Sequence, residues 1–214
     1  MKLETKEKLV VFGAGGHAKV VIDIIEQQGN YEIAGLLDDD LQHLGKRFFG
    51  YPVLGTRADL PALFSTQLRH VIVTIGDNAS RAAVAAHLDQ HGWRFASAVH
   101  PRASIGRGAT IGPGSVVMAG CVVNADASLG AQVIVNTGAT VDHDCRIEDA
   151  VHIAPGCHLC GGVSVGQGSL LGAGTTVTPG VRIGCKVIVG AGSTVLRDVA
   201  DEARVSGSPA RPLD

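Results

Sequence analysis

Ala139-Thr140-Val141-Asp142-His143-Asp144-Cys145-Arg146-Ile147-Glu148-Asp149-Ala150-Val151-His152-Ile153 holds three copies of one pattern. A small or β-branched residue (Ala139, Cys145, Val151) stands two places before an aliphatic one (Val141, Ile147, Ile153), and the pair recurs every six residues. Positions i and i−2 lie on one face of a strand. Repeating that pair every six residues requires the chain to turn a corner after each short strand.

Outward from this stretch the aliphatic column runs from Ile105 to Val195, sixteen consecutive positions that are all Ile, Leu or Val. Its companion runs from Ala103 to Ser193, and every member is small or β-branched. A sandwich does not hold a six-residue phase for so long. Three short strands closing a triangular coil do, and the repeat predicts a parallel β-helix of a little over five turns across residues 101–214. The register is unbroken, so no loop is extruded between repeats.

The five cysteines, Cys121, Cys145, Cys157, Cys160 and Cys185, all fall in this half. Cys121, Cys145 and Cys157 belong to the small column. Cys121 and Cys157 lie two coils apart, about 9–10 Å at the strand spacing and beyond disulfide reach. Cys157-His158-Leu159-Cys160 is a C-x-x-C without a second such pair, so reduced structural thiols are expected and no metal site.

Of 214 residues 29 are glycine and only 4% aromatic, which suits tight corners and a narrow interior. The net charge of −2, with acids and bases interleaved, gives no footprint for nucleic acid or an anionic membrane. Met1 to Lys8 is charged and lacks the apolar run of a signal peptide, and no stretch is apolar enough to span a bilayer. A soluble, cytoplasmic protein is expected.

Residues 1–100 read differently. Lys8–Phe12 is a buried-strand run followed by Gly13-Ala14-Gly15-Gly16-His17-Ala18, then a helix over Val20–Gln27 with Val20, Val21, Ile24 and Ile25 on one side. Further strands are predicted at 32–37, 70–75 and 95–99, and a helix at 80–91. Strand alternating with helix implies a parallel sheet. Gly13-x-Gly15-x-x-Ala18 with Asp38 beyond fits the dinucleotide fingerprint, in which glycines admit a phosphate to a helix N-terminus. The pattern accommodates NAD or a nucleotide diphosphate group. The domain is only about one mononucleotide half long, and nothing in it resembles a hydride-transfer site, which favours a nucleotide sugar.

The repeat column resembles the left-handed parallel β-helix of the hexapeptide-repeat acyltransferases, and Gly207-Ser208-Pro209-Ala210-Arg211 is similar to the G-x-P-A-[KR] ending common there. With the short Rossmann-like domain in front, the whole chain resembles the bacterial nucleotide-amino-sugar N-acetyltransferases. These act on UDP-4-amino-4,6-dideoxy sugars or GDP-perosamine, and the sialic acid O-acetyltransferases are a sister branch. The resemblance implies a Rossmann-like nucleotide-sugar-binding domain (1–100), a β-helix acetyltransferase domain (101–214), acetyl-CoA as co-substrate, and a homotrimer with acetyl-CoA held between prisms. Its expected reaction is acetylation of the amino group of a nucleotide-linked 4-amino-4,6-dideoxy sugar, with sugar O-acetylation as the alternative.

Carried over residue by residue, the resemblance assigns His143 as general base and Asp144 as its orienting acid. A carboxylate on one ring nitrogen fixes the tautomer and raises the basicity of the other. Substrate contacts are implied at Gly15, Gly16, His17, Asp38, Asp39, Gly76, Asn78 and Asn136, and acetyl-CoA contacts at His152, Ala173 and Ala191. Two other classes compete. A β-helix zinc lyase would need histidines spaced otherwise than His143, His152 and His158; a non-catalytic nucleotide-sugar-binding protein would need no base.

Overall fold

The computed structural model describes residues 6–65 and 68–213. Most of the charged N-terminus, Met1 to Thr5, lies outside them. The chain divides into two compact units, Met1–Ala98 and Val99–Asp214.

In the first unit β1 (Glu7–Phe12) runs into α1 (Gly16–Gln28), followed by β2 (Tyr31–Leu37), β3 (Arg47–Phe48), β4 (Tyr51–Gly55), α2 (Leu60–Ser65), β5 (His70–Val73), α3 (Asn78–Gln90) and β6 (Arg94–Phe95). The sheet order is β3-β4-β2-β1-β5-β6, parallel except for the β3–β4 hairpin. β1 lies inside the sheet, and Leu9, Val10 and Val11 are fully buried, as a strand covered on both faces requires. Val10 and Phe12 join Leu60, Val84, Leu88 and Trp93 in one cluster.

Three expectations change here. α1 starts at Gly16, directly after the glycine loop, because Gly15 is its extended N-cap; it stops at Gly29, left-handed at φ 70°. Val20 is exposed at 41%, and the buried stripe is Ala18, Val21, Ile22, Ile24 and Ile25. The segment 95–99 is two strands: Arg94–Phe95 pairs with β5, whereas Ala98–Val99 opens a face of the β-helix. The β3–β4 hairpin and α2 carry too few residues for any periodicity to declare them.

From Ser104 to Val195 the second unit is sixteen two-residue strands, each ending on a member of the aliphatic column. Up to Thr176–Val177 the strands pair in parallel with the one eighteen residues on, as in Val117 with Val135, Val123 with Val141 and Leu129 with Ile147; at the end Ile188–Val189 pairs with Arg204–Val205 instead. Three sheets result. Face one carries Ile134–Val135 and His152–Ile153, face two Thr140–Val141 and His158–Leu159, face three Arg146–Ile147 and Ser164–Val165. From Val117 onward the aliphatic column is buried; Ile105 and Ile111 at the first coil are not, since no full coil precedes them. All five cysteines are free thiols. Cys145 is fully buried, its S–H reaching the Cys160 carbonyl at 3.2 Å, and burial pushes its thiol up. Cys160 and Cys185 are only half-buried and stand outside the small column.

Candidate active site

In the first unit a cleft of about 440 Å³ opens at the C-terminal ends of β1, β2 and β5, lined by Phe12, Gly13 to His17, Asp38, Asp39, Thr74, Ile75 and Gly76. This is where an open parallel sheet binds ligands. Gly13 takes φ 113°, a left-handed value that favours glycine. Gly15 and Gly16 do not, and a Cβ on either would meet no protein atom within 4 Å. Their smallness serves the space in front of the helix, not the protein's own packing.

The two leading acids are engaged with the protein. Asp38 accepts the Ala14 N–H at 2.6 Å and the Asp40 N–H at 2.8 Å, with His43 Nδ1 at 3.3 Å. It thereby braces the glycine loop. Asp39 accepts from Arg57 Nε at 2.7 Å and from the Arg57 N–H at 3.1 Å; burial works to raise its carboxyl, but the Arg57 bonds outweigh it and hold it below the usual range. Arg81, unforeseen from the sequence, is 1% exposed and donates to the carbonyls of Ile75 and Gly76 at 3.1 Å and to Asn78 Oδ1 at 2.9 Å. Burial lowers its guanidinium to about 10. Asn78 thus fastens the cleft's wall from behind, outside the lining residues.

In the β-helix, His143 lies on the corner between faces two and three, its side chain 62% exposed. Nδ1 stands 2.7 Å from Asp144 Oδ2. A carboxylate only accepts, so Nδ1 carries the proton and Nε2 keeps its lone pair in the neutral ring. Asp142 Oδ1 accepts both the His143 N–H and Asn124 Nδ2, each at 2.8 Å. The Asp144 bond, then the nearby Asp142 charge, raise the His143 pKa above its ordinary value. The His143 N–H bond, with Asn124, holds Asp142 low.

Asn136, Ala173 and Ala191 occupy a different corner, between faces one and two, and His152 lies on face one in the strand that leads to it. Asn136 Oδ1 accepts the Thr137 N–H at 2.8 Å, which orients its Nδ2 toward His152 Nε2 at 3.3 Å. The structure therefore groups Asn136 with the three acetyl-CoA candidates and separates all four from His143 by a side of the prism, about 20 Å of extended chain. Among the described residues no three His, Cys, Asp or Glu side chains group as a metal site, and no helix is long and apolar enough to cross a membrane.

Comparison with known proteins bears on both units. Residues 8–88 match the family model "PglD N-terminal domain", residues 144–179 "Bacterial transferase hexapeptide (six repeats)", and residues 162–197 "Hexapeptide repeat of succinyl-transferase". A perosamine N-acetyltransferase from Caulobacter crescentus, solved with CoA and GDP-perosamine, is 41% identical, with 98% of each chain covered and a TM-score of 0.93. The chain belongs to the hexapeptide-repeat sugar acetyltransferases. Its β-helix is the left-handed one of that family, preceded by the Rossmann-like half domain. The acetyltransferase domain of PglB from Neisseria gonorrhoeae FA1090 is 40% identical at a TM-score of 0.91, over 97% of this chain and 100% of that one. WeeI from Acinetobacter baumannii AYE is 25% identical at 0.74, over 97% and 100%. Curated relatives match over short stretches. Putative acetyltransferase YvoF of Bacillus subtilis is 47% identical over 47 residues, and Serine acetyltransferase 4 of Arabidopsis thaliana 44% over 48; the matches span 27% and 14% of those proteins and 22% of this chain.

Proposed function

We propose that this sugar acetyltransferase transfers the acetyl group of acetyl-CoA to the amino group of a nucleotide-linked 4-amino-4,6-dideoxy sugar, with His143 as general base. The observation that carries the reading is the His143–Asp144 pair on an exposed corner, in a chain alike from end to end to an enzyme solved with CoA and GDP-perosamine. Two structures of that enzyme carry a single histidine replaced by asparagine or alanine, and the PglB domain is also solved with acetyl coenzyme A.

Starting from an ammonium, the reaction sheds two protons and needs one polarised carbonyl. The sugar amine arrives as ammonium, and His143 Nε2 takes a proton from it. The freed lone pair forms the C–N bond at the thioester carbonyl while backbone N–H donors hold the oxyanion. The C–S bond then breaks, and the departing CoA sulfur takes the second proton from the adduct nitrogen and leaves as the thiol. No acyl-enzyme is needed; Cys145 is buried core.

The nucleotide diphosphate belongs in the cleft around Gly15, Gly16, His17 and Gly76, at the N-terminus of α1. Asp38 and Asp39 face it while bracing its walls, and Asn78 acts through the loop that Arg81 fastens. Acetyl-CoA belongs along the edge with His152, Ala173 and Ala191, where the alanines leave room for a pantetheine arm. Since His143 stands on another edge, a homotrimer that sets one subunit's His143 against the neighbour's Asn136 edge completes the site. The working compartment is the cytoplasm, where nucleotide sugars and acetyl-CoA meet.

Thiol release from acetyl-CoA, measured with UDP-, GDP- and dTDP-linked 4-amino sugars and with free or CMP-linked sialic acid, tests the reading. An amino sugar is expected to be the substrate, and His143→Ala to lower kcat by about 10²–10⁴. Activity on sialic acid alone would move the enzyme to O-acetylation, and an undiminished His143→Ala variant would remove the base.

A further inference from the structure

Each corner of the prism ends on a left-handed residue, fifteen in all from Gly108 to Gly192. Reading the residue just before each of these, every sixth position from Arg107 to Ala191, gives proline, alanine, threonine and larger side chains, and glycine once, at Gly161. The following Gly162 has φ 71°, which accounts for that glycine by backbone conformation. Gly161 has no positive φ, so its backbone suits any residue.

The explanation lies one coil away. Gly161 stacks directly on His143: the Gly162 N–H donates to the His143 carbonyl at 2.9 Å, the ordinary ladder step between coils. A Cβ built on Gly161 would stand 2.5 Å from His143 Cε1 and 2.6 Å from Nε2, with Cδ2 at 3.2 Å. All three are imidazole atoms, and no backbone atom is as near. The ring lies over the bare Cα of the next coil, with Nδ1 turned to Asp144. The imidazole and a Cβ on Gly161 cannot both occupy that space.

We propose that Gly161 is a positioning residue for the base: its missing side chain is the seat that the His143 ring occupies while Asp144 holds Nδ1. The inference rests on His143 being the base. The seat works through shape, separately from the charges of Asp142 and Asp144. Because the three atoms nearest a Cβ there all belong to the end of one side chain, Gly161→Ala displaces the ring and leaves the coil intact.

The test is steady-state kinetics, thermal melting and an NMR titration of His143, using protein labelled at histidine Cε1. For Gly161→Ala the expected results are an unchanged or higher Tm, KM for both substrates within about twofold, and kcat down by about tenfold or more. The His143 titration is expected to move toward that of an ordinary histidine as the Asp144 bond loosens. Unchanged kcat and titration would overturn the proposal. So would a lost kcat with an unmoved titration, since the methyl would then obstruct substrate instead of the ring. In the unsubstituted enzyme the His143 Cε1 proton is expected to show a nuclear Overhauser contact with the Gly161 α-protons; its absence overturns the seat even where the variant does not fold. His143→Ala separates the two readings: if it keeps full activity the base assignment falls, whereas the titration and the Overhauser contact still judge the seat.

Discussion

Asp144 stands at a left-handed corner, φ 59°, where ten of the fifteen equivalent residues are glycine. For a residue with a Cβ this conformation costs roughly 1–2 kcal/mol, least for Asp and Asn. Here the side chain that strains the corner is also the one that holds His143 Nδ1. Replacing Asp144 by Gly relieves the corner, removes the acid, and is expected to hold or raise Tm while lowering kcat about ten- to hundredfold. Asp144→Ala keeps the strain and is expected to melt below the Gly variant at the same low activity. If both melted alike and both kept full kcat, the acid would be an ordinary corner residue. The pH profile follows from the direction of the His143 shift. Asp144 and Asp142 raise its pKa, so the neutral, working ring is populated only above its ordinary range and the ascending limb of kcat moves to higher pH. Asp144→Asn is expected to return that limb to lower pH with a reduced plateau; a limb that does not move would show that another group sets it.

At the scale of elements, the glycine loop between β1 and α1 separates two uses of one residue type. Gly13 is left-handed, and a Cβ there would stand 3.0 Å from Thr74 Oγ1 and 3.2 Å from the Thr74 carbonyl oxygen. Thr74 Oγ1 itself bonds the carbonyls of Phe12 and Gly13 at 2.9 Å. Gly13→Ala is therefore expected to cost about 1–3 kcal/mol of stability. Gly15→Ala is expected to melt like the parent and to weaken UDP or GDP binding in a calorimetric titration, because the space beyond Gly15 is the cleft. Undiminished nucleotide binding by Gly15→Ala would place the diphosphate elsewhere. The sequence separates these elements unevenly. Sixteen aliphatic positions in phase specify sixteen strands, since a coil that buries one row of side chains tolerates no slip. The β3–β4 hairpin is too short to show a period, the true start of α1 is set by the extended backbone of Gly15, and the break between Phe95 and Ala98 shows only in the different sheets the two strands join. Gly161 is likewise legible only when the sequence is folded into coils of eighteen and the residue above it is found to be His143. Arg81 reads from sequence as one more helical cation, and only its burial reveals the loop it fastens.

For the whole molecule, residue numbers counted modulo eighteen already assign each side chain to a corner, and they separate His143 from Asn136, Ala173 and Ala191. The geometry of one prism repeats that separation, so how the two edges come together is a question of assembly. A closed ring of three identical subunits offers each edge to a neighbour. If one active site takes His143 from one subunit and Asn136 from the next, His143→Ala and Asn136→Ala subunits are each inactive as pure assemblies yet complement when mixed. In a random equimolar mixture a site is whole only when its His143 comes from the Asn136 variant and its Asn136 from the His143 variant. That holds for about one site in four, so about a quarter of the parent activity is expected after co-refolding. A site built within one subunit returns nothing on mixing, since every subunit then carries a lesion. Size-exclusion chromatography with light scattering supplies the companion measurement. A monomer that retained full activity would leave the two edges no means of meeting and would remove the shared site.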